Sequence, residues 1–110
     1  GSVKGLRVLI IEDHISTGLS CLDAIKTLRE EGAIVTDCVS ITNFDMAETS
    51  ALFEEAGVKA HRMIEFKRIV EQALEMGLIN EEQKKTIEEW LKTPWTWAAR
   101  RGLIATTREN

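Results

Sequence analysis

Three strand-helix units in succession predict an α/β fold: a parallel sheet of three βα units, followed by further helices. Three observations carry this. A continuous β-branched and leucine run at residues 7–11 is followed by an amphipathic stripe, the same alternation recurs twice, and Gly32, Gly57 and Gly77 stand where each stripe stops. Parallel strands joined by short right-handed crossovers lie side by side, so the strand order should be 1-2-3.

The first strand reads Arg-Val-Leu-Ile-Ile at 7–11, apolar enough for cover on both faces. Beyond a polar stretch ending at Ser20, the residues Cys21, Ala24, Ile25 and Leu28 fall on one helical stripe that Gly32 terminates. Residues 34–41 form the second strand. Thr49, Leu52, Phe53 and Ala56 make the second stripe, closed by Gly57. Residues 58–64 form a third strand whose Lys59, His61 and Arg62 suit a sheet edge. Phe66, Ile69, Val70, Ala73 and Leu74 mark a third helix ending at Gly77. Asn80 with Gln83 three residues on is a capping-box pattern for a fourth helix, which carries Ile87, Trp90 and Leu91 and stops at Pro94. One consequence is awkward. In a 1-2-3 sheet the most apolar strand is an edge with unpaired backbone groups, and it needs cover from preceding strands or from a second copy of the chain.

A chain of 110 residues with 44% hydrophobic content has room for one core, so residues 3–110 are expected to form a single α/β domain. Gly1 and Ser2 read as the remnant of a cleaved affinity tag. A net charge of −4 with scattered basic residues argues against a nucleic-acid surface. The apolar runs are too short to span a bilayer and no signal peptide is evident, which points to the cytoplasm. Cys21 and Cys38 lack metal-ligand spacing and are expected to be reduced and buried. His61 reads as an ordinary strand-edge residue, and Arg100 and Arg101 as a solvated face. Trp90, Trp95 and Trp97 read as packing residues, and Met46, Met63 and Met76 as core or rim.

The stretch with chemistry lies between the first strand and first helix: Glu12, Asp13, His14, Ile15, Ser16, Thr17, Gly18, Leu19 and Ser20. A strand-to-helix turn gathers backbone N–H groups and the positive end of a helix, which suits a phosphate. Ser16, Thr17 and Ser20 add hydroxyls, and Gly18 lets the backbone approach closely. The paired carboxylates of Glu12 and Asp13 can accept hydrogen bonds from sugar hydroxyls or act near a bound Mg²⁺. His14 reads as a solvent-exposed loop histidine.

An apolar run, two acids, two residues, Ser-Thr-Gly, one residue and Ser resembles the phosphoribosyl-diphosphate signature of type I phosphoribosyltransferases. The resemblance runs on through Lys67 to Gly77, Leu78-Ile79, the acidic helix and the Thr93-Pro94-Trp95-Thr96-Trp97 tail, and is closest to the C-terminal half of orotate phosphoribosyltransferases. It implies that Glu12 and Asp13 bind the ribose hydroxyls, that residues 16–20 cradle the 5-phosphate, and that Ser16 lies near orotate. It also implies binding of phosphoribosyl diphosphate with Mg²⁺ and no direct protein metal ligand; the homodimer or other homo-oligomer is expected from the uncovered first strand. The complete enzyme would transfer phosphoribosyl to orotate, giving orotidine 5′-monophosphate in pyrimidine biosynthesis. The family's lysine-bearing catalytic loop precedes the first strand, so its catalytic residues are expected upstream and the fragment alone is expected to be inactive.

Two residues depart from the pattern: Leu19 stands where a small residue is common, and His14 where an aliphatic one is. After the second strand, Thr42-Asn43-Phe44-Asp45 lacks the arginine that contacts the pyrimidine in many orotate enzymes. Two other readings stay open. One is a non-catalytic phosphoribosyltransferase-like regulator that senses nucleotides. The other is a receiver-like signalling domain, which the opening strand and acidic pair also resemble, although its phospho-accepting Asp is missing where the third strand runs into Met63-Ile64-Glu65-Phe66.

Overall fold

The computed structural model describes residues 1–94 and 96–102. Its elements are β1 (Ile10–Ile15), α1 (Leu19–Glu30), β2 (Asp37–Asn43), α2 (Ala47–Glu55), β3 (Lys59–Glu65), α3 (Phe66–Glu75), α4 (Glu81–Lys92) and α5 (Trp97–Arg100). The chain divides into two compact units, Gly1–Ile69 and a second from Val70 onward, and the sheet lies in the first.

The sheet is parallel with order β1-β2-β3, as the three units predict. Its rows run Ile10, Cys38 and Ala60, then Glu12, Ser40 and Arg62, then His14, Thr42 and Ile64. β3 is an edge strand exposed at every position, which matches its polar sequence. β1 differs from expectation at both ends. The run at 7–11 contributes only a bridge from Arg7 to Ile34 at its start, while the strand proper continues through the two acids to Ile15. Hydrogen bonding to β2 and the buried side chain of Ile15 extend it, and the charges are tolerated because Asp13 faces water.

Among the described residues, cover on both faces of β1 is not found. Ile10, Glu12 and His14 are half-buried while Ile11 is 75% exposed, and Ile41 and Met63 are exposed as well. The core forms where α1 and α2 meet the sheet and contains Ile15, Cys21, Ile25, Val35, Cys38, Phe53 and Val58. Each α1 or α2 stripe is narrower than the sequence suggested. Ala24 and Leu52 are exposed, so Cys21 and Ile25 on α1, and Thr49 and Phe53 on α2, face the core. Arg29 fastens the far end by donating to the carbonyls of Val35 and Ala56, both at 2.6 Å. Gly32, Gly57 and Gly77 all adopt positive φ after their helices.

The two thiols are reduced and buried, with their sulfurs 3.4 Å apart. Loss of hydration pushes Cys21 up to about 12 and also raises Cys38, and the nearby Glu12 charge acts in the same direction. An unfolded thiol ionises near 9.0. Above that pH the unfolded chain releases protons that the folded chain retains, so this pair should lower stability as pH rises past about 9. At pH 8 a thiol-specific reagent should label both cysteines slowly in native protein and rapidly in denaturant. Fast native labelling of Cys21 would contradict the burial.

On β2, the Asp37 carboxyl is held below its usual range by the Thr36 hydroxyl and then by His61, whose Nε2 lies 2.7 Å away. His61 is therefore an exposed cross-strand partner. In the second unit, Asn80 and Gln83 form the expected reciprocal capping box. Arg101 pairs with Glu89 at 2.7 Å and lies over the Trp97 ring, so this arginine has structural ties as well as exposure. Trp95 lies outside the described residues. Among the described residues no helix is long and apolar enough to cross a membrane.

Candidate functional site at the carboxyl end of the first strand

Because β1 runs to Ile15 and α1 begins at Leu19, the connecting loop is only Ser16, Thr17 and Gly18. Glu12, Asp13, His14 and Ile15, read from sequence as loop, belong to the strand. Leu19 and Ser20 form the first turn of α1, both exposed. Gly18 is the helix N-cap at φ 80, with no side-chain cap and no acidic residue in the first turn. The early N–H groups of α1 therefore keep their positive end with no acidic side chain in the first turn, an arrangement suited to an anion. Thr17 Oγ1 accepts only a long bond from the Leu19 N–H, at 3.4 Å.

The acids are not one cluster. Successive strand residues face opposite sides, so Glu12 is half-buried and Asp13 exposed. Asp13 Oδ1 accepts the His14 N–H at 2.7 Å, and a carboxylate has lone pairs left for a hydroxyl. Ile15 is a core residue, packed under the loop rather than in it.

His14 is not the solvent-exposed residue expected. Its Nδ1 lies 2.7 Å from Thr42 Oγ1, and its ring meets Phe44 edge-on with centroids 4.4 Å apart. Phe44 in turn meets Phe66 in the same way at 4.6 Å. The row of rings ties together the carboxyl ends of β1, β2 and β3. A pattern-based reading missed this because the three residues are far apart in sequence and meet only after the strands align.

The loop after β2 holds no arginine, but Arg62 reaches it from β3, its Nε 2.6 Å from Asp45 Oδ2. Asp45 has φ 55, and its N–H donates to Asn43 Oδ1 at 2.8 Å, which steadies this left-handed residue. Thr49 was placed in an apolar stripe by its spacing. It is 2% exposed, and its hydroxyl donates to the Thr17 carbonyl at 2.9 Å. The available signal was chemical: a hydroxyl in a core-facing stripe must find an acceptor.

No protein-family model matches the chain. Orotate phosphoribosyltransferase of Coxiella burnetii is 39% identical over 94 residues, an alignment covering 86% of this chain and 45% of that protein. Leishmania donovani UMP synthase superposes with a TM-score of 0.70 at 27% identity, covering 80% of this chain and 20% of that one. The chain resembles the type I phosphoribosyltransferases in both sequence and fold. A Mycobacterium tuberculosis orotate phosphoribosyltransferase solved with 5-phospho-α-D-ribosyl 1-diphosphate is similar at TM-score 0.52 and 26% identity, over 59% of this chain and 39% of that one. The chain spans about half the length of the curated relatives it matches.

Proposed function

We propose that the chain is the C-terminal half of an orotate phosphoribosyltransferase, and that its part in the reaction is to hold the ribose 5-phosphate portion of phosphoribosyl diphosphate. The observation that carries this reading is the uncapped N-terminus of α1, joined to Ser16, Thr17 and Gly18 at the end of a parallel strand, in a chain 39% identical to a named orotate enzyme. Residues 16–20 receive the phosphate, and Asp13, with Glu12 beneath it, faces the ribose hydroxyls. Ser16, exposed beside them, is the residue offered to orotate. The complete enzyme displaces diphosphate from the anomeric carbon by orotate N1, and positive charge developing there makes positioning and electrostatics the protein's main contributions. Among the described residues no three His, Cys, Asp or Glu side chains converge on a metal position. A Mg²⁺ here would draw its ligands mainly from the diphosphate and water, with at most one or two carboxylates. A cytoplasmic location and a role in pyrimidine biosynthesis go with this reading.

Titration of labelled protein with ribose 5-phosphate should shift the backbone amides of residues 16–20. Thr17→Ala should weaken binding by about 1–3 kcal/mol if its hydroxyl makes a charge-assisted bond. Shifts confined to other loops would remove the reading. A second outcome concerns chemistry: with orotate, phosphoribosyl diphosphate and Mg²⁺, the 110-residue chain by itself should show no enzymic consumption of orotate. Appreciable turnover would mean that the catalytic groups lie within it.

A further inference from the structure

We propose that Thr49, on α2, is a positioning residue that aims the backbone N–H groups of Thr17 and Gly18 at a bound phosphate. The inference rests on the phosphate reading above and deepens it. The Thr49 hydroxyl donates to the Thr17 carbonyl at 2.9 Å and lies 3.4 Å from the Ser16 carbonyl. Among the described residues no peptide bond is cis. In a trans peptide the C=O and N–H of one plane point in opposite directions. The Ser16 carbonyl shares its plane with the Thr17 N–H, and the Thr17 carbonyl with the Gly18 N–H. Drawing both carbonyls toward α2 therefore turns both N–H groups away from it. They then stand beside the first N–H groups of α1, and a phosphomonoester needs such a concave set of donors.

Packing holds the arrangement in place. A Cβ added to Gly18 would lie 2.7 Å from Phe53 Cε2 and 2.9 Å from Thr49 Cγ2, so the loop rests directly on α2. The second strand-helix unit thereby shapes the binding loop of the first. Thr49 touches no ligand itself. Its effect passes through two peptide planes, and it requires a hydroxyl rather than mere bulk.

The test compares Thr49→Val, which keeps the shape and removes the donor, with Thr49→Ser, which keeps the donor. In ligand-free labelled protein, Thr49→Val should move the Thr17 and Gly18 amide resonances and speed their exchange, whereas Thr49→Ser should leave them near wild type. With ribose 5-phosphate, Thr49→Val should raise the dissociation constant about tenfold or more, and Thr49→Ser less than about threefold. In the wild type, replacing the Thr49 hydroxyl proton by deuterium should shift the Thr17 carbonyl carbon, a readout that does not depend on either variant folding. Unmoved Thr17 and Gly18 amides in a folded Thr49→Val protein would overturn the proposal, as would a serine variant that behaves like valine or a carbonyl carbon that ignores deuteration. If these ligand-free signals appear and ribose 5-phosphate does not bind, the positioning role stands and the phosphate reading fails.

Discussion

Gly18→Ala is expected to be among the most damaging single substitutions in the chain, lowering stability and removing ribose 5-phosphate binding together. Two costs add. At φ 80 an alanine sits in the left-handed region, which costs about 1–2 kcal/mol for a residue with a Cβ. The new methyl would also meet Phe53 at 2.7 Å and Thr49 at 2.9 Å, and overpacking of this kind costs about 1–3 kcal/mol. Denaturant unfolding should therefore show a loss of about 2–5 kcal/mol. If the loop shifts to relieve the clash, its N–H groups leave their positions and the phosphate amide shifts disappear. Phe53→Leu in the same background separates the causes, since a smaller side chain relieves the contact with Phe53 and leaves the backbone part and the Thr49 contact. An alanine variant as stable as wild type would mean that the loop does not rest on α2 as described.

The sequence carried the architecture because its signals are local. Stripes at helical spacing, glycines beyond them, the Asn80–Gln83 box and the polar third strand each fix one element, and right-handed crossovers then leave the order β1-β2-β3. The limits of β1 were misread because a pair of acids looks like the end of a strand. Hydrogen bonding to β2 and the buried Ile15 carry the strand past them. The site was legible in the same partial way. The turn proposed to bind an anion can be read from residues 12–20, but the surroundings that shape it cannot, because they come from elsewhere in the chain. Thr42 and Phe44 position His14, Thr49 and Phe53 support Gly18, and Arg62 approaches the β2 loop from β3. Each of these is a contact between successive strand-helix segments of the first unit, set by register and helix docking rather than by neighbouring sequence.

The same register creates an open edge, and self-association through it is the expected result. Among the described residues β1 pairs with β2 on one side only, and the face beside that edge carries Ile11 at 75% exposure, Met63 at 74% and Ile41 at 50%, with Leu9 at 51% just before the strand. Backbone groups without strand partners beside exposed apolar side chains form a template for another chain. Two copies related by a two-fold axis can bring their β1 strands together antiparallel and merge two small sheets into one, which offsets the limited burial available to a chain of this length. Sedimentation at micromolar concentration should show a homodimer or larger species. Ile11→Lys and Leu9→Lys place a charge on the exposed side of the strand and should give folded monomers with unchanged circular dichroism. Ile10→Lys is a different experiment. Ile10 is half-buried and packs against the core, so its lysine variant should lose folding as well as association. A wild-type chain that stays monomeric while its β1 amides exchange slowly would show that the edge needs no partner, and the assembly argument would fail with it.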